Sequence, residues 1–190
     1  MPDRNVAVIV GSLRKNSYSQ MVADALIALA PKGLKFEFLE IGNLPFYNPD
    51  LEAEKTPKEW VAFRAQISKA DAFLVVTPEY NRSIPGVLKN ALDIGTRPYG
   101  HNGWTGKPAG IVSSSPGGIG GFGANHHLRQ VMVGCGIKAM ATPDVYLGGV
   151  GALFNESGEL INDKTREFLT KFMAAFGDWI EANAAEPRKP

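Results

Sequence analysis

Cysteine is almost missing from this 190-residue chain: Cys135 stands alone. A single thiol excludes an internal disulfide and suits a reducing cytoplasm. An excess of charge of one sign is missing too. Twenty Lys and Arg stand against 19 Asp and Glu, a net charge of +1, so neither a nucleic-acid nor a membrane surface is indicated. No apolar run approaches the roughly 18–20 residues of a membrane span. The start, Met1-Pro-Asp-Arg-Asn, leads into the first apolar segment without a signal-peptide core. There is no internal repeat. His101, His126 and His127 show no metal-ligand spacing with other residues, so no metal site is expected and they are assigned to the surface or an interface. Two phosphate signatures are also lacking. Without G-x-x-x-x-G-K-[ST] a nucleoside triphosphate is disfavoured, and without G-x-G-x-x-G the usual dinucleotide fingerprint is absent.

What is present begins with Val6-Ala-Val-Ile-Val-Gly-Ser-Leu-Arg-Lys-Asn-Ser-Tyr-Ser. Val6 to Val10 is a short β-branched run, as suits a strand buried on both faces. Gly11 ends it, and Ser12 to Ser19 is polar. Val22, Ala25, Leu26 and Leu29 then recur at helical spacing. A strand, a tight loop and a helix start place unpaired N–H groups and a partial positive charge where an anion can sit. Ser12, Ser17 and Ser19 add hydroxyls, and Arg14 adds a guanidinium fork. A terminal phosphate monoester fits such a loop; an ordinary serine-capped helix with a surface arginine has the same signature.

The length fits one domain, 1–190, with a substantial core and a frayed tail over 182–190. A second strand is expected over Leu34 to Ile41, with Phe36, Phe38 and Leu39 toward the core. Gly42 to Lys55 is expected to be irregular, broken by Pro45 and Pro49. Pro57 opens a helix whose apolar face is Trp60, Phe63 and Ile67. Ala72 to Thr77 is the third strand, Val87 to about Ile94 a short helix, and Ala109 to Ser113 the fourth strand. A helix from Ala124 to about Val133 and a short strand from Lys138 to Thr142 follow. Cys135 continues the helical spacing of Leu128, Val131 and Met132, so its thiol is expected to be buried. The last helix spans about Lys164 to Ala182. Alternating strands and helices give an α/β, three-layer sandwich around a five-stranded parallel sheet, with the flavodoxin-like order 2-1-3-4-5. In such sheets ligands bind beyond the carboxyl ends of the strands, at the switch point between strands one and three.

Two further loops should therefore carry chemistry. Thr77-Pro-Glu-Tyr-Asn-Arg-Ser-Ile-Pro-Gly sets an acid, an aromatic, an amide and a base between two stiffening prolines. Backbone groups framed in this way suit the edge of a planar ring system, with Tyr80 or Asn81 beside it; Glu79 and Arg82 can equally be solvated charges. Ser113-Ser-Ser-Pro-Gly-Gly-Ile-Gly-Gly-Phe-Gly-Ala is rich in glycine, which fits close approach of backbone to a ligand or a mobile loop.

Together, Gly11-Ser-Leu-Arg-Lys-Asn-Ser, Pro78-Glu-Tyr-Asn, Ile84-Pro-Gly-Val-Leu-Lys-Asn-Ala-Leu-Asp and the Ser113 to Gly121 loop resemble the NADPH-dependent FMN reductase family, nearest to its bacterial chromate and quinone reductases. The resemblance spans about residues 5 to 180. It implies bound FMN, with its phosphate on Ser12, Arg14, Ser17 and Ser19 and its ring against Glu79, Tyr80, Asn81 and Ser115. Leu13, Tyr18, Pro78 and Gly118 complete the cofactor shell so implied. Ser19 stands where the family often has Asn, and keeps a donor. The resemblance further implies NADH or NADPH as hydride donor, then a quinone, ferric chelate, chromate or similar small acceptor at the same open face, in ping-pong order. Dimers, sometimes tetramers, are common in the family. Phe46, Tyr47, Tyr99 and Trp104 are expected to be exposed aromatics marking a homodimer interface. Arg97, in the loop before the fourth strand, is the expected catalytic cation that would reach over the flavin. A flavodoxin-type electron carrier without catalysis is the competing function; such carriers are usually strongly acidic, and this chain is near neutral.

Overall fold

The computed structural model describes residues 3–185. Its centre is a parallel sheet. β1 (Arg4–Val10) pairs with β2 (Leu34–Phe38) on one side and β3 (Ala72–Pro78) on the other. β3 pairs with β4 (Pro108–Ser114), and β4 with β5 (Lys138–Ala139). The order is β2-β1-β3-β4-β5, the flavodoxin-like order expected from the alternation of elements.

Side chains of the central strands alternate between two cores, as the two-residue strand period requires. Val6 and Val8 of β1, with Ala72, Leu74 and Val76 of β3, face α1 (Tyr18–Ala28) and α6 (Asp163–Asn183), where Val22, Leu26, Leu169, Phe172 and Phe176 are buried. Ala7, Ile9, Phe73 and Val75 face α3 (Lys58–Lys69), α4 (Gly86–Gly95) and α5 (Phe122–Cys135), over Trp60, Phe63, Ile67, Leu88, Leu92, Leu128 and Met132. Each such aliphatic or aromatic chain removed from water contributes about 1.5–3 kcal/mol before conformational entropy is counted. Cys135 is buried as expected, and desolvation pushes its thiol up to about 11.

Four expectations are corrected. β2 stops at Phe38, which is exposed; Phe36 is half-buried and Leu39 alone of the three is fully inside. β2 is the sheet edge, so its outer end lacks cover. The segment from Gly42 to Lys55 contains a short helix, α2 (Pro49–Glu54), because Asn48 Oδ1 accepts from the Asp50 N–H and Pro49 occupies the first helical position, where its missing donor costs nothing. The strand expected over Lys138 to Thr142 shrinks to two residues, and the edge resumes as β6 (Val145–Leu147), also parallel to β4. Pro143 lacks an N–H for the ladder, and at the gap the Met140 carbonyl accepts from Arg129 Nη1 at 2.8 Å. Finally, Ala182 and Asn183 still belong to α6, and the Ala185 carbonyl accepts from Arg4. The rest of the expected frayed tail, 186–190, lies outside the described residues.

Of the aromatics expected at an interface, Phe46 and Tyr99 are 75% and 83% exposed. Trp104 is fully buried, donating from Nε1 to the Leu92 carbonyl, and Tyr47 is half-buried on the Trp60 ring. Among the described residues no helix is long and apolar enough to cross a membrane.

Candidate functional site

The loops after β1, β3 and β4 converge on a cleft of about 350 Å³ beyond the carboxyl ends of these strands. A larger groove of about 620 Å³ lies between α1 and the Gly158–Arg166 segment. There the Arg166 guanidinium is taken up by the Leu160 carbonyl, and no strand end opens into it. Position relative to the sheet, not volume, therefore selects the smaller cleft.

One wall is the loop between β1 and α1. The Gly11 N–H still bonds the Val76 carbonyl, and a Cβ here would sit 2.9 Å from Thr77 Oγ1, so glycine lets the loops after β1 and β3 touch. Ser17 caps α1, its Oγ accepting from the Gln20 N–H at 3.1 Å. The Met21 N–H reaches the Ser17 carbonyl. The N–H groups of Tyr18 and Ser19 fall in the first turn, where a helix supplies no internal acceptor. Ser12, Ser17, Tyr18 and Ser19 line the cleft, and Arg14 closes this end with its guanidinium 5.4 Å from the Tyr18 ring centroid. Among the described residues no carboxylate pairs with Arg14. The wall thus offers N–H groups, hydroxyls and an uncompensated cation to an anion.

The second wall is Pro78-Glu79-Tyr80. Tyr80 opens a two-residue hairpin in which its N–H and carbonyl bond the carbonyl and N–H of Ser83, at 2.9 and 3.0 Å. Asn81 and Arg82 both have positive φ, 50° and 68°, as a type I′ turn requires. For arginine that region costs about 1–2 kcal/mol. Glu79 is not a solvated charge. Its Oε2 accepts from the Ala124 N–H at 3.0 Å and so caps α5, while Arg82 lies 3.8 Å from Oε1 and is largely exposed.

The third wall is Ser114, Ser115 and Pro116, with Val150 beside them from a short 3-10 turn, Val150–Ala152. The glycine-rich loop is pinned along its length. Ser115 bonds Leu147 and Val150 through its backbone, Gly149 bonds Gly117, and Ser113 Oγ donates to the Gly120 carbonyl. A Cβ on Gly148 would stand 2.4 Å from the Gly118 carbonyl. Several of these glycines therefore serve loop-on-loop packing as well as approach to the cleft.

Nine of the twelve expected cofactor residues line the cleft: Ser12, Arg14, Ser17, Tyr18, Ser19, Pro78, Glu79, Tyr80 and Ser115. Leu13 points elsewhere, toward Gly42, where a Cβ would come within 2.9 Å of its Cδ2. Asn81 is at the exposed hairpin tip, and Gly118 rests on Gly148. Arg97 is not in the cleft of its own chain. It follows α4, whose ten residues put about 15 Å of helix between it and the helix start, and its guanidinium stacks 3.8 Å from the centroid of Tyr99. Ser114 and Pro116 belong to the glycine-rich loop expected to approach a ligand; Val150 lies outside all three expected loops. The Gly148-Gly149 pair before Val150 was the available signal, hidden because β6 itself was missed.

The histidines lie outside the cleft. His126 Nε2 is 3.1 Å from the Tyr146 hydroxyl, which donates to Asp144; burial first, then that bond, pushes the phenol up to about 12. His127 Nδ1 is 2.6 Å from Ser83 Oγ.

The model of the NADPH-dependent FMN reductase family matches residues 4–152. A quinone reductase of Pseudomonas putida is 56% identical over 181 residues, covering 95% of this chain and 97% of that one. A 2-hydroxy-1,4-benzoquinone reductase of a Burkholderia species is 43% identical over 175 residues, covering 92% and 95%. The solved structure of FerB, a flavoenzyme NAD(P)H:acceptor oxidoreductase from Paracoccus denitrificans, superposes with a TM-score of 0.90 at 42% identity, covering 96% of this chain and all of that one. With a cleft at the switch point of the sheet, this extent of likeness settles the family: the chain belongs to the NADPH-dependent FMN reductases, enzymes whose cofactor is FMN and whose electron donor is a reduced nicotinamide nucleotide.

Proposed function

We propose that the chain is an FMN-dependent NAD(P)H:quinone oxidoreductase that also passes electrons to chromate, ferric chelates and similar small oxidants. The observation that carries the reading is the wall between β1 and α1, where a helix start, three serine hydroxyls and Arg14, which has no carboxylate partner among the described residues, line one end of the cleft. This donor set fits a dianionic phosphate. The other end fits a planar ring. Pro78 and Tyr80 give apolar surface, Tyr80 is 53% exposed, and the Ser115 segment closes the opposite side. In this assignment Ser12, Arg14, Ser17 and Ser19 hold the phosphate, Tyr18 backs Arg14, and Pro78, Glu79, Tyr80 and Ser115 frame the ring. Glu79 acts through α5, as the cap that fixes its own loop.

Bound FMN supplies hydride acceptance at N5 and onward transfer to an oxidant, and one open face used by donor and acceptor in turn gives ping-pong kinetics. The residues of the chain position and shield; no side-chain acid or base in the cleft is needed for proton transfer. The quinone assignment follows the activities named for the Pseudomonas putida and Burkholderia relatives. Arg97 has no part in the cleft of its own chain in this reading. With Tyr99 and nearby Phe46 it belongs to an apolar surface on which a second copy docks, giving a homodimer, with a tetramer as a further step. The buried, lone Cys135 suits a cytoplasmic setting.

The test is direct. Purified protein should be yellow and release FMN on denaturation. Anaerobic stopped-flow mixing with NADH or NADPH should bleach the flavin at a rate compatible with turnover, and initial rates with a benzoquinone should give parallel double-reciprocal lines. A flavin that bleaches only when a separate reductase is added would make the protein an electron carrier instead.

A further inference from the structure

The hairpin that carries Tyr80 is fastened from outside, and both fastenings come from α5. At its entry, Glu79 Oε2 accepts from the Ala124 N–H at 3.0 Å; at its exit, Ser83 Oγ meets His127 Nδ1 at 2.6 Å. Ala124 and His127 are three residues apart and so share one face of the helix. The hairpin rests directly on that face: a Cβ on Gly123 would come within 3.0 Å of both the Arg82 carbonyl and Glu79 Oε2.

Within itself the hairpin has little to hold its shape. Its internal bonds are the two between Tyr80 and Ser83. Both central residues are non-glycine at positive φ, and their side chains are exposed, with Arg82 only loosely paired to Glu79 at 3.8 Å. A backbone of this kind persists where its surroundings over-determine it. α5 is suited to do so. Leu128 and Met132 are fully buried, and the buried amide of Asn125 bonds the Val145 carbonyl and Ser113.

We propose that His127 is a positioning residue, which fixes the Tyr80 hairpin against the cofactor cleft through its hydrogen bond to Ser83. This rests on the FMN reading of the cleft. The contact suits a permanent clamp. A serine hydroxyl donates to a neutral Nδ1 and accepts from a protonated one, so the bond holds in either state of the imidazole. The clamp acts on Tyr80, at the ring end, and not on the phosphate wall.

The test uses the full-length chain, stripped of flavin and titrated with FMN and with riboflavin, which lacks the phosphate. His127→Ala and Ser83→Ala should each weaken both ligands by the same factor, about 3- to 10-fold, the scale of one hydrogen bond. The double variant should lose no more than either single one, because both remove the same contact. His127→Asn, whose Oδ1 falls near the Nδ1 position, should restore binding. A purely structural histidine would lower the melting temperature without this pattern. Parental binding of both flavins by His127→Ala, additive losses in the double variant, or failure of His127→Asn to rescue would overturn the proposal. Arg14→Ala serves as the control. If it loses FMN while His127→Ala does not, the clamp alone is overturned; if it retains FMN fully, the reading of the cleft falls and the clamp with it.

Discussion

Arg14 and Gly95 show how much single positions carry here. Arg14 sits exposed at the cleft mouth with no carboxylate partner among the described residues, its plane offered to Tyr18. A hydrogen bond to a charged group contributes about 1.5–3 kcal/mol, so Arg14→Ala should raise the FMN dissociation constant by roughly 10- to 150-fold. Isothermal titration checks this, and undiminished affinity would remove the phosphate from this wall. Gly95 works by having no side chain. A Cβ there would land 2.2 Å from Nε1 of Trp104, whose ring is buried against Phe63 and Phe73 and whose Nε1 already bonds the Leu92 carbonyl. Neither the indole nor the end of α4 has room to retreat. Gly95→Ala should cost about 3 kcal/mol, as overpacking does, and lower the melting temperature by roughly 6–12 °C. A shift below about 2 °C on calorimetry would mean that the Trp104 pocket is softer than its packing implies.

At the scale of elements, α6 is tied to β1 by one ion pair. Arg4 Nε donates to Glu181 Oε1 at 2.9 Å, with the arginine side chain 5% exposed and the carboxylate 31%. That hydrogen bond, ahead of the opposing effect of burial, holds Glu181 below the usual carboxylate range. A carboxylate depressed in the folded state stabilises it above its unfolded value, near pH 4.3, and the benefit fades as pH falls through the folded value. Glu181→Gln should therefore destabilise by about 1 kcal/mol at pH 7, after solvent screening, and the gap from the parent should shrink at pH 3. Urea midpoints at the two pH values measure it; a gap that widens in acid would reverse the sign of the argument. The same elements show what was legible in advance. β1, β3 and β4 announce themselves because a strand buried on both faces is a continuous apolar run, and Trp60, Phe63 and Ile67 because a helix buries one stripe. α2 escapes a reading that treats Pro49 as a breaker, because Pro49 opens a helix that Asn48 caps. β6 is three residues long and follows a proline, so it carries little strand signal of its own. In the site, Ser17, Tyr18 and Ser19 at the start of α1 and Pro78 at the end of β3 line the cleft, as their places on regular elements imply. Leu13, Asn81 and Gly118 lie off its lining, because loop composition says which residues are near a cleft and not which way they face. Arg97 lies off the lining of its own chain's cleft for a reason of length: the sequence shows a short helix, but only the fold shows that the chain has by then run away from the strand ends.

For the whole molecule, charge and exposed surface decide between function classes. An electron carrier that docks on basic partners needs a strong acidic field, and a net charge of +1 supplies none. Small oxidants and a nicotinamide need no docking field, only an open face, which the exposed Tyr80 wall provides. The surface around the end of α4 has a different character. Tyr99 and Phe46 stand 83% and 75% exposed, and Arg97 lies over the Tyr99 ring with Tyr47 within 5.9 Å. Aromatics and arginine are the residues enriched where proteins associate, and lysine and glutamate are depleted there. Self-association through this face predicts a particle of twice the 20.5 kDa chain mass in light scattering at micromolar concentration. Tyr99→Ser combined with Phe46→Ser should shift it toward the monomer, since aromatic anchors at an interface are commonly worth 2 kcal/mol or more each, about 30-fold in the association constant. FMN content separates the two roles of the face. If the double variant turns monomeric and keeps its flavin, the surface serves assembly alone. If it turns monomeric and loses flavin, the neighbouring copy completes the cofactor site. A parent that is already monomeric at that concentration removes the dimer, and with it any role for Arg97 beyond a surface cation.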